Sequence, residues 1–184
     1  MKKSIVLLAA VLFSIAAWAQ ENSFTVNAGY AFANIEDVDE NVTGWRLSGL
    51  YEFNPSGGKF SHGFSFGYIG TSGESEGVSQ SSVEYKLNSW PIYYAPKFLI
   101  GNGSAKGFIK GALGAQTTSY KRTGSFGELK DSDFGFYGGL GAGFMKSFNE
   151  KMFITLEYEW AYLSNSAYKD GFMNSAMLGI GMKF

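Results

Sequence analysis

The stretch Phe172–Phe184, FMNSAMLGIGMKF, decides how the rest of the chain is read. Every second residue puts Phe172, Asn174, Ala176, Leu178, Ile180, Met182 and Phe184 on one face. Met173, Ser175, Met177, Gly179, Gly181 and Lys183 fall on the other. Side chains alternate across a β-strand, so this is a strand with one apolar face and one small, soft or charged face. A hydrophobic strand ending on an aromatic residue is a hazard at a sheet edge, because its free backbone groups pair with other molecules. A closed barrel removes that edge by zipping the last strand onto the first.

At the opposite end, Lys2 and Lys3 precede an apolar run from Ser4 to Ala17, followed by Ala17-Trp18-Ala19. Charge, apolar run and an A-x-A site predict a cleaved secretory signal peptide over residues 1–19, with residues 20–184 forming one domain. The run is shorter than the ~20 residues a membrane helix needs. The absence of cysteine excludes disulfides, thiolate metal sites and a lipid-anchored cysteine. Loss of Lys2 and Lys3 takes the formal charge from −1 to −3, which speaks against nucleic-acid binding. With 25 Gly, 17% aromatic residues and only 3 Pro, the chain offers no later helix able to span a membrane, so any spanning structure is a barrel.

Seven more alternating stretches precede the last: 23–33, 43–54, 60–70, 83–100, 107–120, 134–148 and 152–163. The clearest, Met152–Leu163, sets Met152, Ile154, Leu156, Tyr158, Trp160 and Tyr162 against Thr155, Glu157, Glu159 and Ala161. The least regular runs from Val83 to Ile100, where the apolar parity changes. A bulge at Asn88-Ser89 is expected to restore one apolar face, and Pro91 and Pro96 each remove a ladder donor. Connections alternate in length, with long loops at 34–42, 71–82, 121–133 and 164–171 and tight turns between them. Tyr30, Phe32, Trp45, Tyr120, Phe134, Trp160 and Tyr162 cluster near the long-loop ends. Tyr51, Phe53, Phe60, Phe98, Phe148 and Phe184 cluster near the turns, giving two aromatic girdles.

Alternation leaves open whether the apolar face meets lipid or a core. An eight-stranded barrel is just wide enough for side chains inside. It cannot swallow the bulky aromatic set, whereas Gly, Ser, Thr and a few charges fit. Arg46, Glu52, Lys110, Glu157, Glu159 and Lys183 all share the small-residue face, and no G-x-W of a soluble lipocalin stands near the first strand. The reading is an all-β, eight-stranded antiparallel up-and-down transmembrane β-barrel.

On strand count, loop asymmetry and the final strand, residues 20–184 resemble the small eight-stranded bacterial outer-membrane proteins of the OmpA/OmpX type. The resemblance implies an outer-membrane location in a Gram-negative cell envelope, a monomer with a filled interior, and contact with membrane lipids and lipopolysaccharide. It implies that Leu178, Ile180, Met182 and Phe184 form the signal read by the outer-membrane assembly machinery. The peptidoglycan-binding domain of longer relatives is expected to be absent, the sequence stopping at Phe184. Roles in envelope integrity, adhesion or defence through the extracellular loops are all open, because fold does not select among them.

No catalytic, cofactor or metal site is expected. Asp37-Val38-Asp39-Glu40-Asn41 imitates a calcium loop, but Val42 stands where glycine is needed and Ser48 where the bidentate glutamate belongs. It reads as a solvated acidic loop. Lipid A deacylases of similar fold use a His, a Ser and an acid; the sole histidine, His62, is followed by Gly63 and Phe64 at the turn end, where no triad assembles. The glycine run Gly138–Gly143 lies within a strand with no helix after it, so it is packing space and not a phosphate loop. Lys121, Arg122 and Lys130 could meet lipopolysaccharide, but the acids Glu128, Asp131 and Asp133 beside them favour an ordinary solvated loop. Inside, Arg46 is expected to bridge Glu159 and Glu157, since a guanidinium fork suits two carboxylates. Lys97, Lys110 and Lys183 are expected to form a lower basic set around Glu52. The functional reading is a non-enzymatic envelope or surface-interaction protein with a polar-filled lumen. A narrow porin-like channel is the alternative, wide aqueous pores needing about 16–18 strands.

Overall fold

In the computed structural model the described residues are 21–35, 38–54, 58–76, 82–124, 127–164 and 168–184. The expected signal peptide over residues 1–19 lies outside them. Nine strands form one antiparallel sheet: β1 (Glu21–Ile35), β2 (Val38–Asn54), β3 (Phe60–Glu76), β4 (Ser82–Tyr94), β5 (Lys97–Ile100), β6 (Ala105–Gly124), β7 (Gly127–Ser147), β8 (Met152–Leu163) and β9 (Tyr168–Lys183). β4 and β5 are one stave interrupted at Ala95-Pro96, so the ring has eight staves. Proline brings no N–H to the ladder, yet Ala95 N–H donates to Gly63 O (2.7 Å) and Gly111 N–H to Pro96 O (2.8 Å). The pairing of β3 with β4 and then β5 keeps one register across the gap.

β9 closes the ring onto β1, from Ser23 opposite Lys183 to Ala33 opposite Met173. Asn22 and Phe184 exchange two backbone bonds at the end of this seam (3.2 and 2.9 Å). At the tight-turn end, Asn54 clamps its turn through both amide atoms, donating to Gly58 O and accepting from Gly58 N–H. Asn149 Oδ1 accepts from the N–H groups of Lys151 and Met152. Gly101 and Gly103 supply left-handed φ values of 96° and 89° in the turn between β5 and β6, a conformation that suits glycine.

The outward faces are apolar as read from the alternation: Phe66, Ile92, Leu113, Leu140, Leu156, Leu178 and Ile180 are all exposed. Three sequence readings need correction. The bulge at Asn88-Ser89 does not form: Gly70 pairs with Asn88 and Ile69 with Ser89 in unbroken register. Tyr85 and Leu87 therefore point inward, which is why the apolar parity changes. Tyr120 also faces inward, on the parity of Gln116 and Thr118, and packs on the interior apolar cluster instead of joining a girdle. Finally, most of the long-loop residues are strand; β6 and β7 pair as far as Gly124 opposite Gly127. Along Gly127–Phe134 both sheet faces meet water, so the backbone ladder continues after the apolar alternation stops.

A spanning strand needs only about 9–11 residues, while β6 and β7 have 20 and 21. Past the girdle rung of Phe134 and Thr117, residues 118–124 of β6 at about 3.3 Å each carry the β6–β7 hairpin roughly 20 Å further along the strand. Depth along the wall should be readable in stability. Leu156→Arg, at mid-height on β8, should cost about 2–4 kcal/mol, and Met152→Arg, beside the tight turn, about 0–1 kcal/mol. Equilibrium unfolding in lipid vesicles measures both, and equal losses would contradict this placement of the bilayer.

Candidate functional site

The interior divides into three levels. At mid-height, Arg46 and Glu159 form an ion pair of 2.8 Å (Nη1 to Oε1). Lys110 pairs with Glu157 and, at 2.8 Å, with Glu159. Arg46 also donates to Tyr93 Oη (3.0 Å) and Ser175 Oγ (3.2 Å), and Tyr137 OH donates to Glu159 Oε1. The Tyr93 and Tyr137 rings stack at 4.9 Å between centroids. Arg46 sits over Tyr137 (5.9 Å) and Lys110 over Tyr93 (5.7 Å). Two cations and two carboxylates thus make a neutral, buried cluster bridging β2, β6 and β8. The lysine meets Glu157 Oε1 and Glu159 Oε2 as ion pairs, and Arg46 Nε has no hydrogen-bond partner among the described residues.

The sequence reading placed Lys110 in a lower set with Lys97 and Lys183. The structure moves it up to the Glu157–Glu159 pair, and Arg46 engages Glu159 alone of the two acids. Strand register is the reason: Lys110 lies opposite Gly141, and Gly141 opposite Glu159. A Cβ on Gly141 would stand 3.2 Å from Glu157 Oε1 and 3.5 Å from Lys110 Cε, so the absent side chain is the passage through which lysine meets acid. Tyr93 and Tyr137 were missed altogether. Their parity places both inward, which was a usable signal, but an aromatic was expected outside.

Below this cluster, Lys97 Nζ donates to Glu52 Oε2 at 2.7 Å and lies over the Phe108 ring at 4.8 Å. Ser61 Oγ donates to the other Glu52 oxygen at 3.2 Å. Lys183 shares this end, one rung away: Ser23 is opposite both Glu52 and Lys183. Above the cluster, the lumen is filled by an apolar layer that includes Val42, Ile69, Leu87, Leu163 and Met173. The expectation of a lumen holding only small and charged groups is therefore corrected. Glycine supplies the room: a Cβ on Gly181 would run into the Phe153 ring, and one on Gly143 would lie 2.5 Å from Phe108.

On the outer wall, His62 stacks on Phe53 (5.2 Å) and its Nδ1 shares a 2.5 Å hydrogen bond with Tyr94 OH. That is an interfacial aromatic cluster, with no serine or acid completing a triad among the described residues. Beyond the membrane, Glu128 takes Lys121 (2.8 Å) and Lys130 (2.7 Å). Hydrogen bonds from Lys121 and then Lys130 lower its pKa from 4.5 to about 2. Arg122 lies over the Tyr85 ring at 5.7 Å.

An antiparallel eight-stave ring with an apolar exterior, aromatic girdles and a packed lumen is an eight-stranded outer-membrane β-barrel. Residues 5–184 match the outer membrane protein beta-barrel domain family; the chain belongs to that family and is a protein of the cell outer membrane. Among solved structures it is similar to Neisserial surface protein A, with a TM-score of 0.66 at 13% identity over 89% of this chain and 97% of that one. It is also similar to Ail, the attachment invasion locus protein of Yersinia pestis, with a TM-score of 0.57 at 20% identity, covering 89% and 98%. A major outer membrane protein from Thermus thermophilus gives 0.62 at 10% identity, covering 89% and 99%. No curated protein matches the sequence.

Two outcomes follow from the charges. Arg46→Ala should lose about 3–5 kcal/mol by leaving buried acid uncompensated. The double variant Arg46→Met/Glu159→Gln, which retains the neutral Lys110–Glu157 pair, should be more stable than Arg46→Ala in vesicle unfolding. A double variant less stable than Arg46→Ala would contradict the charge-balanced cluster. Separately, because its folded pKa is depressed, Glu128 contributes its pairing above pH about 4.5 and loses it as pH falls through about 2. Carboxyl NMR should find that midpoint, and Lys121→Gln/Lys130→Gln should return it to the ordinary range; an unchanged midpoint would refute the assignment.

Proposed function

We propose that this barrel is a non-enzymatic surface-interaction protein that holds the β6–β7 hairpin outside the cell while its lumen stays plugged. The observation that carries this is the edge of β7. From Gly127 to Phe136 the strand pairs with β6 on one side. On the other side, among the described residues, its partner is Ser164, whose N–H donates to Phe136 O. Backbone groups two residues apart point the same way, so Phe134, Lys130 and Glu128 turn theirs toward that open side. Ser132 N–H is turned onto its neighbour Asp131 Oδ1 at 2.8 Å. An edge of this kind recognises an extended segment of another protein by adding it as a strand. Neisserial surface protein A and the attachment invasion locus protein carry surface roles in their names; they supply context, and the edge supplies the argument.

The same reading assigns the remaining contacts. Membrane lipids and lipopolysaccharide cover the apolar wall, the barrel is a monomer, and Leu178, Ile180, Met182 and Phe184 are the face the outer-membrane assembly machinery reads. The alternative, a narrow channel, requires a path through the Arg46–Lys110–Glu157–Glu159 cluster.

A shortened hairpin tests the proposal. Tyr120 lies opposite Asp131, so replacing residues 121–130 by Asn-Gly joins them through a favoured two-residue turn. The variant should fold to a heat-modifiable barrel, and cells displaying it should attach to a protein-coated surface less than cells with the wild type. Purified wild-type barrel should be silent in planar bilayers. Unchanged attachment would overturn the surface role, and discrete conductance steps in the wild type would favour the channel.

A further inference from the structure

Strand pairing collects three lysines that the chain keeps apart. Lys86 on β4 lies opposite Lys121 on β6, and Lys121 lies opposite Lys130 on β7. Directly opposed residues share a face, so the three ammonium groups form one exposed row on the outer side of the sheet, on the parity of Trp90 and Phe134. Neighbouring strands stand about 4.8 Å apart, so the row is about 10 Å wide. Like charges set directly opposite one another are destabilising. Glu84 holds Lys86 at 2.7 Å, and Glu128 holds Lys121 at 2.8 Å and Lys130 at 2.7 Å. These acids stand one same-face rung farther from the girdle, flanking Thr123, and Glu74 continues that rung opposite Glu84. Sign is therefore sorted by height, with cations toward the girdle and acids away from it. The rung on the girdle side of the lysines is polar and uncharged: Asn88, Ser119 and Ser132. Asn88 Oδ1 accepts from Tyr68 OH, which leaves its amide NH2 to donate. One rung below stand Trp90, Thr117 and Phe134, at the girdle itself.

The acids orient the lysines without using them up. Exposed ion pairs contribute little, and an ammonium group has three donors, so each lysine can hold its glutamate on one side and a second anion on the other. On that other side the Asn88 amide and the Ser119 and Ser132 hydroxyls add uncharged donors. Four residues at about 3.3 Å put the lysines about 13 Å along the strand from the girdle rung, and a strand tilt of about 35–45° makes that roughly 10 Å of height. The polar rung lies at about half that height, within the roughly 5–7 Å head-group layer of a bilayer. Long connections of such barrels face the cell exterior, so the lipid at this level belongs to the outer leaflet. A single phosphodiester carries one charge and would fill only part of the row, whereas three ammonium groups side by side call for more than one anionic group. We propose that this strip of the wall binds the head of an outer-leaflet glycolipid bearing more than one phosphate. Its phosphates rest on the Asn88–Ser119–Ser132 rung beneath Lys86, Lys121 and Lys130, and its acyl chains run down past Trp90 and Phe134. The proposal fixes to named residues the lipopolysaccharide contact assigned above to the wall, and it does not depend on the backbone edge of β7.

Competition between lipids on one barrel tests it. The protein is refolded into phosphatidylcholine bilayers holding equal amounts of diphosphoryl lipid A, monophosphoryl lipid A and phosphatidylglycerol, extracted in mild detergent, and its retained lipids are counted by native mass spectrometry. Diphosphoryl lipid A should be retained about tenfold over phosphatidylglycerol, the worth of one further charge-assisted hydrogen bond, with the monophosphoryl form between them. Lys86→Gln, Lys121→Gln and Lys130→Gln should each lower that retention about fivefold, the worth of one lysine near an anionic lipid surface, and the triple variant should abolish the preference. Arg122→Gln should keep it, because Arg122 lies over the inward Tyr85 ring. Equal retention of the three lipids by the wild type, full preference in the triple variant, or the same loss in Arg122→Gln would each overturn the proposal. Glutamine leaves the backbone of β7 in place, so cells displaying the triple variant should attach as the wild type does, and the lipid site and the strand edge are read separately. If the triple variant fails to fold, the competition on the wild type still decides.

Discussion

Hydrocarbon offers no hydrogen bonds, so every backbone N–H and C=O that enters it must be satisfied within the protein. The architecture follows from that constraint. A sheet with an edge cannot stand in lipid, so β9 must find β1, and the pairs from Ser23–Lys183 to Ala33–Met173 are the closure. Proline is the place where the ladder is most at risk, and there the bonds of Ala95 and Gly111 carry it across Pro96. The rule relaxes where water returns. The side of β7 that has no partner among the described residues lies on the part of the hairpin that extends past β8, where solvent can satisfy what the sheet does not.

Closing the ring at eight staves creates a volume problem, and glycine solves it locally. Large inward groups sit where a neighbouring stave has no side chain: Phe153 over Gly181, Phe108 over Gly143, and Asn27 with Thr155 at Gly179. The same device lets charge cross the lumen, since Lys110 reaches the acids of β8 past Gly141. Burying four charges costs desolvation that their attraction repays only with good geometry. The cluster offsets part of that cost by being neutral and by adding the Tyr93 and Tyr137 hydroxyls to Arg46 and Glu159, while Arg46 Nε stays without a partner among the described residues.

Most of the wall was legible in the chain because the bilayer imposes a period of two on it. Met152–Leu163 and Phe172–Phe184 show the alternation plainly, and the structure puts Leu156, Leu178 and Ile180 outside. Legibility failed where that pressure stops. Tyr85, Leu87 and Tyr120 are apolar or aromatic yet inward, because the upper lumen is packed like a soluble core. The strand segments above the membrane, such as Lys121–Gly124 and Gly127–Asp133, have polar residues on both faces and so read as loop. In the lumen, Arg46–Glu159 and Lys97–Glu52 were foreseeable from parity and depth. Lys110 was not, because stagger between staves is a property of pairing and leaves no mark in any one strand.

Sealing the middle of the barrel makes its two ends chemically separate. Above the cluster lie the buried Val42, Ile69, Leu87, Leu163 and Met173; below it lies a cavity whose lining includes Lys97, Lys106 and Lys183. A solute entering from the tight-turn side would have to part Arg46 from Glu159 and Lys110 from both acids, leaving charges in a low-dielectric interior that stabilises them only as pairs. It would then meet an apolar layer offering no polar groups to replace those lost. The barrier is therefore steepest for ions. Among the described residues, one wall thus presents two unrelated surfaces: an unpaired side of β7 at the hairpin end and a small cavity at the tight-turn end.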